Sequence, residues 1–189
     1  DMLIDFFVNK RIELEDWELN MPNQPKLVAN EFIVMRLENR EDYPSDYDPD
    51  GDLYFTNIGR YDAKEQAIVS LKHVRNSPVY PKNAGQAIYA EALMDTDIAA
   101  VVCTGPAGSG KTYMATVYGY QACRSGEFIG VTVVPCDSKS KLGALPGDLD
   151  EKMDPEVQPL KNALRNYLLN EDSKLKRELI NLKKFGTGA

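Results

Sequence analysis

Residues 105–112 read GPAGSGKT, and this stretch decides the fold that the sequence predicts. It matches the pattern GxxxxGK[ST] at every fixed position. The run before it, residues 98–104, is apolar and rich in β-branched residues, and the run after it, residues 111–124, favours a helix. A glycine loop between a strand and a helix is the context in which this pattern forms a P-loop (Walker A motif), so we expect a phosphate-binding loop here.

The residue types of this loop suit a nucleotide phosphate. Glycines at 105, 108 and 110 let consecutive backbone N–H groups curl around an anion, and the helix that follows adds its positive N-terminal end. The lysine can reach the β and γ phosphates, which makes it the candidate catalytic residue, and the threonine hydroxyl can ligate Mg²⁺. The predicted cofactors are therefore ATP and Mg²⁺, and the predicted contacts are Gly105, Pro106, Ala107, Gly108, Ser109, Gly110, Lys111, Thr112 and Tyr113.

The segments around the loop alternate between helix and strand patterns. A helix at residues 84–94, a strand at 98–104, the loop, a helix at about 111–124 and a strand at 129–135 predict a β-α-β unit, that is, a partial parallel sheet with flanking helices. A polar helix is expected from about residue 155 to 184. Four of its residues share one side at helical spacing and predict a packing face: Leu160, Leu164, Tyr167 and Leu168.

The first part of the chain has a different pattern. VANEFIVMRL, DLYFTNIGRY and AIVSLKHV each contain a short apolar run of strand type, which predicts a small β-rich module. The stretch SPVYPKNAG, with two prolines and a glycine, predicts a boundary near Ser77. The expected domains are thus residues 1–77 and 78–189.

Composition and charge limit the classes of function. The net charge is -7, and residues 1–80 carry 16 acidic and 9 basic side chains whereas residues 81–189 carry 13 of each. This balance argues against extensive nucleic-acid binding by the chain alone. The sequence has no apolar run near 20 residues, a start (DMLIDFF) without a positive n-region, and three cysteines without a CxxC pair, so we expect no membrane span, no export signal and a cytoplasmic protein with reduced thiols.

Hydrolysis of ATP needs groups besides the loop, notably an acid that ends a neighbouring strand and holds the magnesium. After Pro135 the sequence has no apolar run ending in Asp, which is the Walker B pattern. We therefore expect either that the chain is a fragment of a longer protein or that it binds nucleotide without efficient turnover.

Three stretches in order resemble the PhoH family of P-loop ATPases: PKNAGQAIYAEAL, then GPAGSGKT, then KLGALPGDLDEKMDPEVQPL at residues 141–160. The likeness covers about residues 81–170. It implies a RecA-like P-loop NTPase core, a Walker B motif beyond Ala189, and hence a fragment. It also implies that Gln86 reads the adenine base, although a solvent-exposed helical glutamine is an equal alternative.

Two places depart from the family pattern. The family's Arg-Pro and Gly-Glu pairs correspond here to Val134-Pro135 and Lys139-Ser140, so contacts made by that arginine and glutamate are in doubt. More weakly, NEFIVM at residues 30–35 is similar to the segment that joins a PIN nuclease to the PhoH domain in fused proteins.

The resemblance implies the ATP-binding portion of a PhoH-like ATPase, coupled to RNA unwinding or RNA processing in the full-length protein. Single-stranded RNA and a ring-shaped homo-oligomer are the partners it implies. The alternative is a non-catalytic nucleotide-binding or interaction module.

Overall fold

The computed structural model describes residues 2–36, 57–134 and 149–170. The chain forms two compact units, Asp1–Val102 and Cys103–Ala189, which are described separately below. The domain boundary that the sequence predicts near Ser77 stays a prediction.

The first unit contains a four-stranded antiparallel sheet. Its strands are β1 (Arg11–Glu13), β2 (Phe32–Val34), β3 (Ile58–Asp62) and β4 (Ala67–Ser70), in the spatial order β1-β4-β3-β2. Ile12 lies opposite Ile68, and Ile33 lies opposite Gly59. The strands β2 and β4 fall within two of the runs that the sequence predicts, and β3 overlaps the third run and extends one residue beyond it, to Asp62. The mixed α/β character of the chain is confirmed.

Two short helices, which the sequence analysis missed, cover this sheet. They are α1 (Met2–Asn9) and α2 (Leu14–Asn20). Helices this short are marginal in isolation and owe their stability to packing. Here they contribute to a core that joins helix and sheet residues: Phe6, Phe7, Ile12, Trp17, Met35, Tyr61 and Ile68.

Gly59 lies at the tightest point of this core. A Cβ at position 59 would lie 2.4 Å from the Ile68 Cγ2 atom and 3.0 Å from the Met35 Cε atom. The side chains of Ile68 and Met35 can therefore pack against Gly59 only because this residue has no Cβ.

The helix α3 (Ala84–Met94) has the bounds that the sequence predicts. Its N-cap is Asn83, whose Oδ1 accepts the N–H of Gln86 at 3.0 Å. The Gln86 Oε1 in turn accepts the N–H of Lys82 at 2.8 Å. Paired side-chain caps of this kind satisfy backbone donors that the first turn leaves open, and they fix where the helix begins.

Glu91 joins α3 to a short 3-10 helix, Val74–Asn76. Its carboxylate is buried and accepts three backbone N–H groups: those of Lys72 at 2.9 Å, His73 at 2.8 Å and Val74 at 2.9 Å. A buried carboxylate is tolerated when several donors surround it in this way.

The second unit contains α4 (Lys111–Arg124) and α5 (Leu149–Asn170), which pack on each other. The bounds of α4 are those predicted, whereas α5 begins before residue 155 and is described only to residue 170. The predicted packing face of α5 is confirmed, because Tyr167 and Leu168 are buried and Leu160 and Leu164 are half-buried. None of the described helices is long and apolar enough to cross a membrane.

The predicted parallel sheet is not formed by the described residues, and a RecA-like core stays a prediction. Neither residues 98–104 nor residues 129–134 form a strand, and Pro135 lies outside the described part of the chain. Val102 and Ile129 are exposed, so these apolar runs are not covered as parallel strands must be. The physical reason is that a β-branched run becomes a strand only when a neighbour takes up its backbone hydrogen bonds, and neither run has one within the described residues.

Candidate functional site

The loop at residues 105–112 is shaped by three glycines. Gly105, Gly108 and Gly110 have φ angles of 150°, 79° and 91°, which lie in the region that other residues rarely adopt. A Cβ at Gly108 would meet nothing within 4 Å, so the requirement for glycine there is conformational. The loop therefore has the backbone that the sequence pattern predicts, in the place predicted.

The helix α4 starts within residues 105–112, at Lys111. Gly110 is its N-cap residue and, as a glycine, has no side chain to accept a hydrogen bond from the first turn. The first helical hydrogen bond runs from the N–H of Met114 to the Gly110 carbonyl, at 2.9 Å. The N–H groups at the start of a helix lack helical acceptors and carry the positive end of its dipole. The first turn of α4 carries no acidic side chain, so this positive potential is not neutralised within the turn.

Lys111 folds back over the loop. Its ammonium donates hydrogen bonds to the carbonyl oxygens of Gly105 at 2.9 Å and Pro106 at 2.7 Å, and to the hydroxyl of Ser109 at 3.1 Å. The Ser109 hydroxyl also donates to the Pro106 carbonyl at 2.9 Å. The lysine therefore joins the two ends of the loop and places its positive charge against the loop.

The remaining predicted loop contacts are mostly accessible. Pro106, Ala107 and Thr112 are exposed, and Tyr113 is half-buried in the first turn of α4. Burial raises the pKa of the Tyr113 hydroxyl above its ordinary value, so this group stays protonated near neutral pH. The exposed Thr112 hydroxyl, next to the lysine, is available to a metal ion.

Gln86 lies in the first unit, whereas the loop lies in the second. The Gln86 side chain is half-buried, and its Oε1 accepts the N–H of Lys82, while the Gln86 backbone N–H donates to the Asn83 side chain in the helix cap. Its proposed contact with adenine stays a prediction. Sequence reasoning missed the cap, although the spacing of Asn83 and Gln86 is a capping signal that could have revealed it.

Other predicted features lie outside the described residues. They include Lys139, Ser140 and most of the LGALPGDL stretch, which carries part of the family likeness. Of the three cysteines, Cys103 and Cys123 are described and carry free thiols.

The loop residues fit a nucleotide phosphate with its metal ion. Three glycines in the required conformations, a helix N-terminus whose first turn has no acidic residue and an ammonium group on the same short segment form a concentrated site for an anion. The open space beside Gly108 leaves its backbone approachable. Thr112 supplies a hydroxyl oxygen, which is a suitable Mg²⁺ ligand.

The second part of the chain is similar to known proteins. The family model described as PhoH-like protein matches residues 78–184, more than half of the chain. A PhoH-like protein of Bacillus subtilis (strain 168) is 38% identical over 99 residues, which are 51% of this chain and 30% of that relative. A PhoH-like protein of Synechocystis sp. (strain ATCC 27184 / PCC 6803 / Kazusa) is 37% identical over 105 residues, 54% of this chain and 31% of that relative.

A further relative is Protein PhoH2 of Bacillus subtilis (strain 168), which is 33% identical over 100 residues, 49% of this chain and 21% of that protein. The chain thus spans less than a third of the length of these curated relatives. No solved structure matches at a significant level. The extent of the family match, together with the loop geometry, shows that this chain belongs to the PhoH-like protein family.

Proposed function

We propose that the chain binds ATP with Mg²⁺ through residues 105–112 and forms the ATP-binding part of a PhoH-like ATPase. The observation that carries this proposal is the loop itself: three glycines with positive φ angles directly before α4, and the first residue of α4, Lys111, whose ammonium bonds to the loop carbonyls. Membership in the PhoH-like protein family supports it.

Each loop group has a distinct role in this proposal. Backbone N–H groups of the loop and of the first turn of α4 hold the phosphate oxygens. The Lys111 ammonium stabilises negative charge on the β and γ phosphates, and the Thr112 hydroxyl holds Mg²⁺. The metal, when bound, neutralises phosphate charge. Gln86 is the proposed contact for the adenine base.

The finer parts of the proposal rest on the family resemblance. They are a RecA-like core, a coupling of ATP hydrolysis to RNA unwinding or RNA processing, contact with single-stranded RNA, and a ring-shaped homo-oligomer. They concern the longer protein, because this chain matches less than a third of its relatives' length. The N-terminal likeness at residues 30–35 adds the proposal that a PIN nuclease precedes the PhoH domain there.

The first prediction tests the phosphate contact. Lys111→Ala removes the ammonium from the loop, and we expect it to weaken ATP binding about 10- to 100-fold, the usual effect of losing a hydrogen bond from a charged group. Titration of the 189-residue chain with a fluorescent ATP analogue in the presence of Mg²⁺ measures the change.

The matched control is Arg165→Ala, which removes one positive charge from an exposed position on α5 in the same unit. It should leave the affinity for ATP unchanged. Equal affinities of the wild type and the Lys111→Ala variant would overturn the proposal, because the lysine would then contribute nothing to nucleotide binding.

A further inference from the structure

The hydrogen bonds of the Lys111 ammonium point to a role for a neighbouring side chain, Ser109. An ammonium group has three N–H donors. In the structure all three have acceptors, namely the carbonyl oxygens of Gly105 and Pro106 and the hydroxyl of Ser109. To donate to a phosphate oxygen, the ammonium must therefore release one of these three partners.

The Ser109 hydroxyl is the partner that is easiest to release. Its bond to the ammonium is the longest of the three, at 3.1 Å against 2.9 Å and 2.7 Å. The hydroxyl also keeps a second bond, since it donates to the Pro106 carbonyl at 2.9 Å. Release of the ammonium thus leaves the hydroxyl with a partner, whereas release of a carbonyl loosens the link between the two ends of the loop.

We propose that Ser109 restrains Lys111 in the nucleotide-free loop. Its hydroxyl holds the ammonium against the loop, on the side where a phosphate arrives, and gives way to a phosphate oxygen when nucleotide binds. This inference rests on the proposed function, because it assigns Ser109 a task within the same site. Because nucleotide binding must break the bond between Ser109 and Lys111, this bond opposes binding, whereas the bonds to the Gly105 and Pro106 carbonyl oxygens hold the lysine at the loop without it.

The test is a double-mutant cycle on the 189-residue chain, made of the wild type, Ser109→Ala, Lys111→Ala and the double variant. ATP affinity is measured in the presence of Mg²⁺. Ser109→Ala should strengthen ATP binding about three- to tenfold in the wild-type background, the range expected when one hydrogen bond no longer has to be broken. It should add nothing in the Lys111→Ala background, because Ser109 acts through the lysine.

Ser109→Thr is the conservative control. It keeps the hydroxyl, so it should retain wild-type affinity. Far-UV circular dichroism and thermal melting check that each variant is folded, and Ser109→Cys, which keeps the size but bonds more weakly, replaces Ser109→Ala if the alanine variant fails to fold.

Two outcomes would overturn the inference while leaving the proposed function in place. In one, Lys111→Ala weakens ATP binding but Ser109→Ala leaves it unchanged or weakens it. In the other, Ser109→Ala changes ATP binding by the same factor in both backgrounds, which would show that the serine acts on the loop and not on the lysine. If Lys111→Ala itself has no effect, the proposed function fails and this inference fails with it.

Discussion

Glu91 carries a carboxylate that is 2% exposed and accepts three backbone N–H groups. One carboxylate oxygen accepts from Lys72 and the other from His73 and Val74. The side chain therefore fixes the segment before the 3-10 helix to α3. This arrangement needs two acceptor oxygens, which a glutamine does not have.

The second prediction follows from this geometry. Glu91→Gln places an NH₂ group against at least one backbone N–H, so a buried donor loses its partner, and we expect the free energy of unfolding to fall by about 1–3 kcal/mol. Urea denaturation followed by the fluorescence of Trp17, the chain's one tryptophan, reports on the first unit.

Glu15→Gln is the matched control, since it makes the same change at an exposed position on α2. It should leave the free energy of unfolding within about 0.5 kcal/mol of the wild type. Equal stability of the Glu91→Gln and Glu15→Gln variants would mean that the three N–H contacts contribute nothing.

At the candidate site, the sequence predicted the residues but not all their contacts. The positions of Gly105, Gly110, Lys111 and Thr112 follow from a fixed pattern, because each residue type has one task in a phosphate loop. The bond between Ser109 and Lys111 could not be predicted in this way, since the pattern leaves position 109 open. It depends on a side-chain rotamer, which only three-dimensional structure reveals.

Among the elements, the link between α3 and the sheet depends on one ion pair. Asp95 follows the last residue of α3, and its carboxylate pairs with Arg60 of β3. Both side chains are mostly buried, and Arg60 also donates to the Asn30 side chain. The pair therefore holds the end of the helix against an internal strand of the sheet.

This pair gives the third prediction, which concerns pH. Burial tends to raise the pKa of Asp95, but hydrogen bonds from the Arg60 side chain and the Asp97 backbone outweigh it, so the pKa lies below the ordinary 3.8. Because the pKa of Asp95 is lower in the folded than in the unfolded chain, the ionised carboxylate stabilises the fold. This contribution to the free energy of unfolding is complete above the ordinary pKa and is lost as the pH falls through the lowered pKa. We expect Asp95→Asn to cost about 1–2 kcal/mol at pH 7.

Urea denaturation at several pH values, again followed by Trp17, measures the difference between Asp95→Asn and the wild type. The difference should shrink as the pH falls below 3.8. Asp97→Asn is the control, because the Asp97 carboxylate is exposed and pairs with an exposed Lys64. A difference for Asp95→Asn that stays constant down to pH 2 would show that the ion pair is not its cause.

The elements that the sequence predicted to the residue, α3 and α4, have local start signals. Asn83 and Gln86 cap the first, and Gly110 precedes the second. The missed α1, β1 and α2 have lengths of eight, three and seven residues, and tertiary packing decides their conformation. The segments 98–104 and 129–134 show the converse, because they form no strand in the described part of the chain and strand propensity alone does not provide a neighbour.

At the scale of the whole molecule, charge is distributed unevenly. Residues 1–80 contain 16 acidic and 9 basic side chains, whereas the rest of the chain contains 13 of each. The net charge of -7 therefore comes from the first part, where the antiparallel sheet lies. The family match starts at residue 78, so the acidic part precedes the segment that resembles the relatives.

The last prediction concerns RNA, which the proposed function assigns to the longer protein. Binding to a nucleic-acid backbone requires clusters of basic residues that displace counterions, and an acidic surface opposes it. Among the α5 residues whose side chains are described, the basic ones are Lys161 and Arg165, and both are exposed. We therefore expect the 189-residue chain to bind single-stranded RNA weakly, with a Kd above about 10 μM near physiological salt.

Fluorescence anisotropy with a labelled 20-nucleotide single strand, at 50 mM and 200 mM KCl, measures this affinity. The little binding seen at low salt should fall further at 200 mM, because it would come from a few phosphate contacts. If α5 makes those contacts, the Lys161→Glu variant should show no RNA binding in the same titration. The Glu15→Gln variant, which changes the acidic part of the chain, should bind RNA nearly as the wild type does. Tight binding that survives the rise in salt would show that this chain has an RNA surface that net charge does not reveal, with contacts such as base stacking in place of phosphate neutralisation.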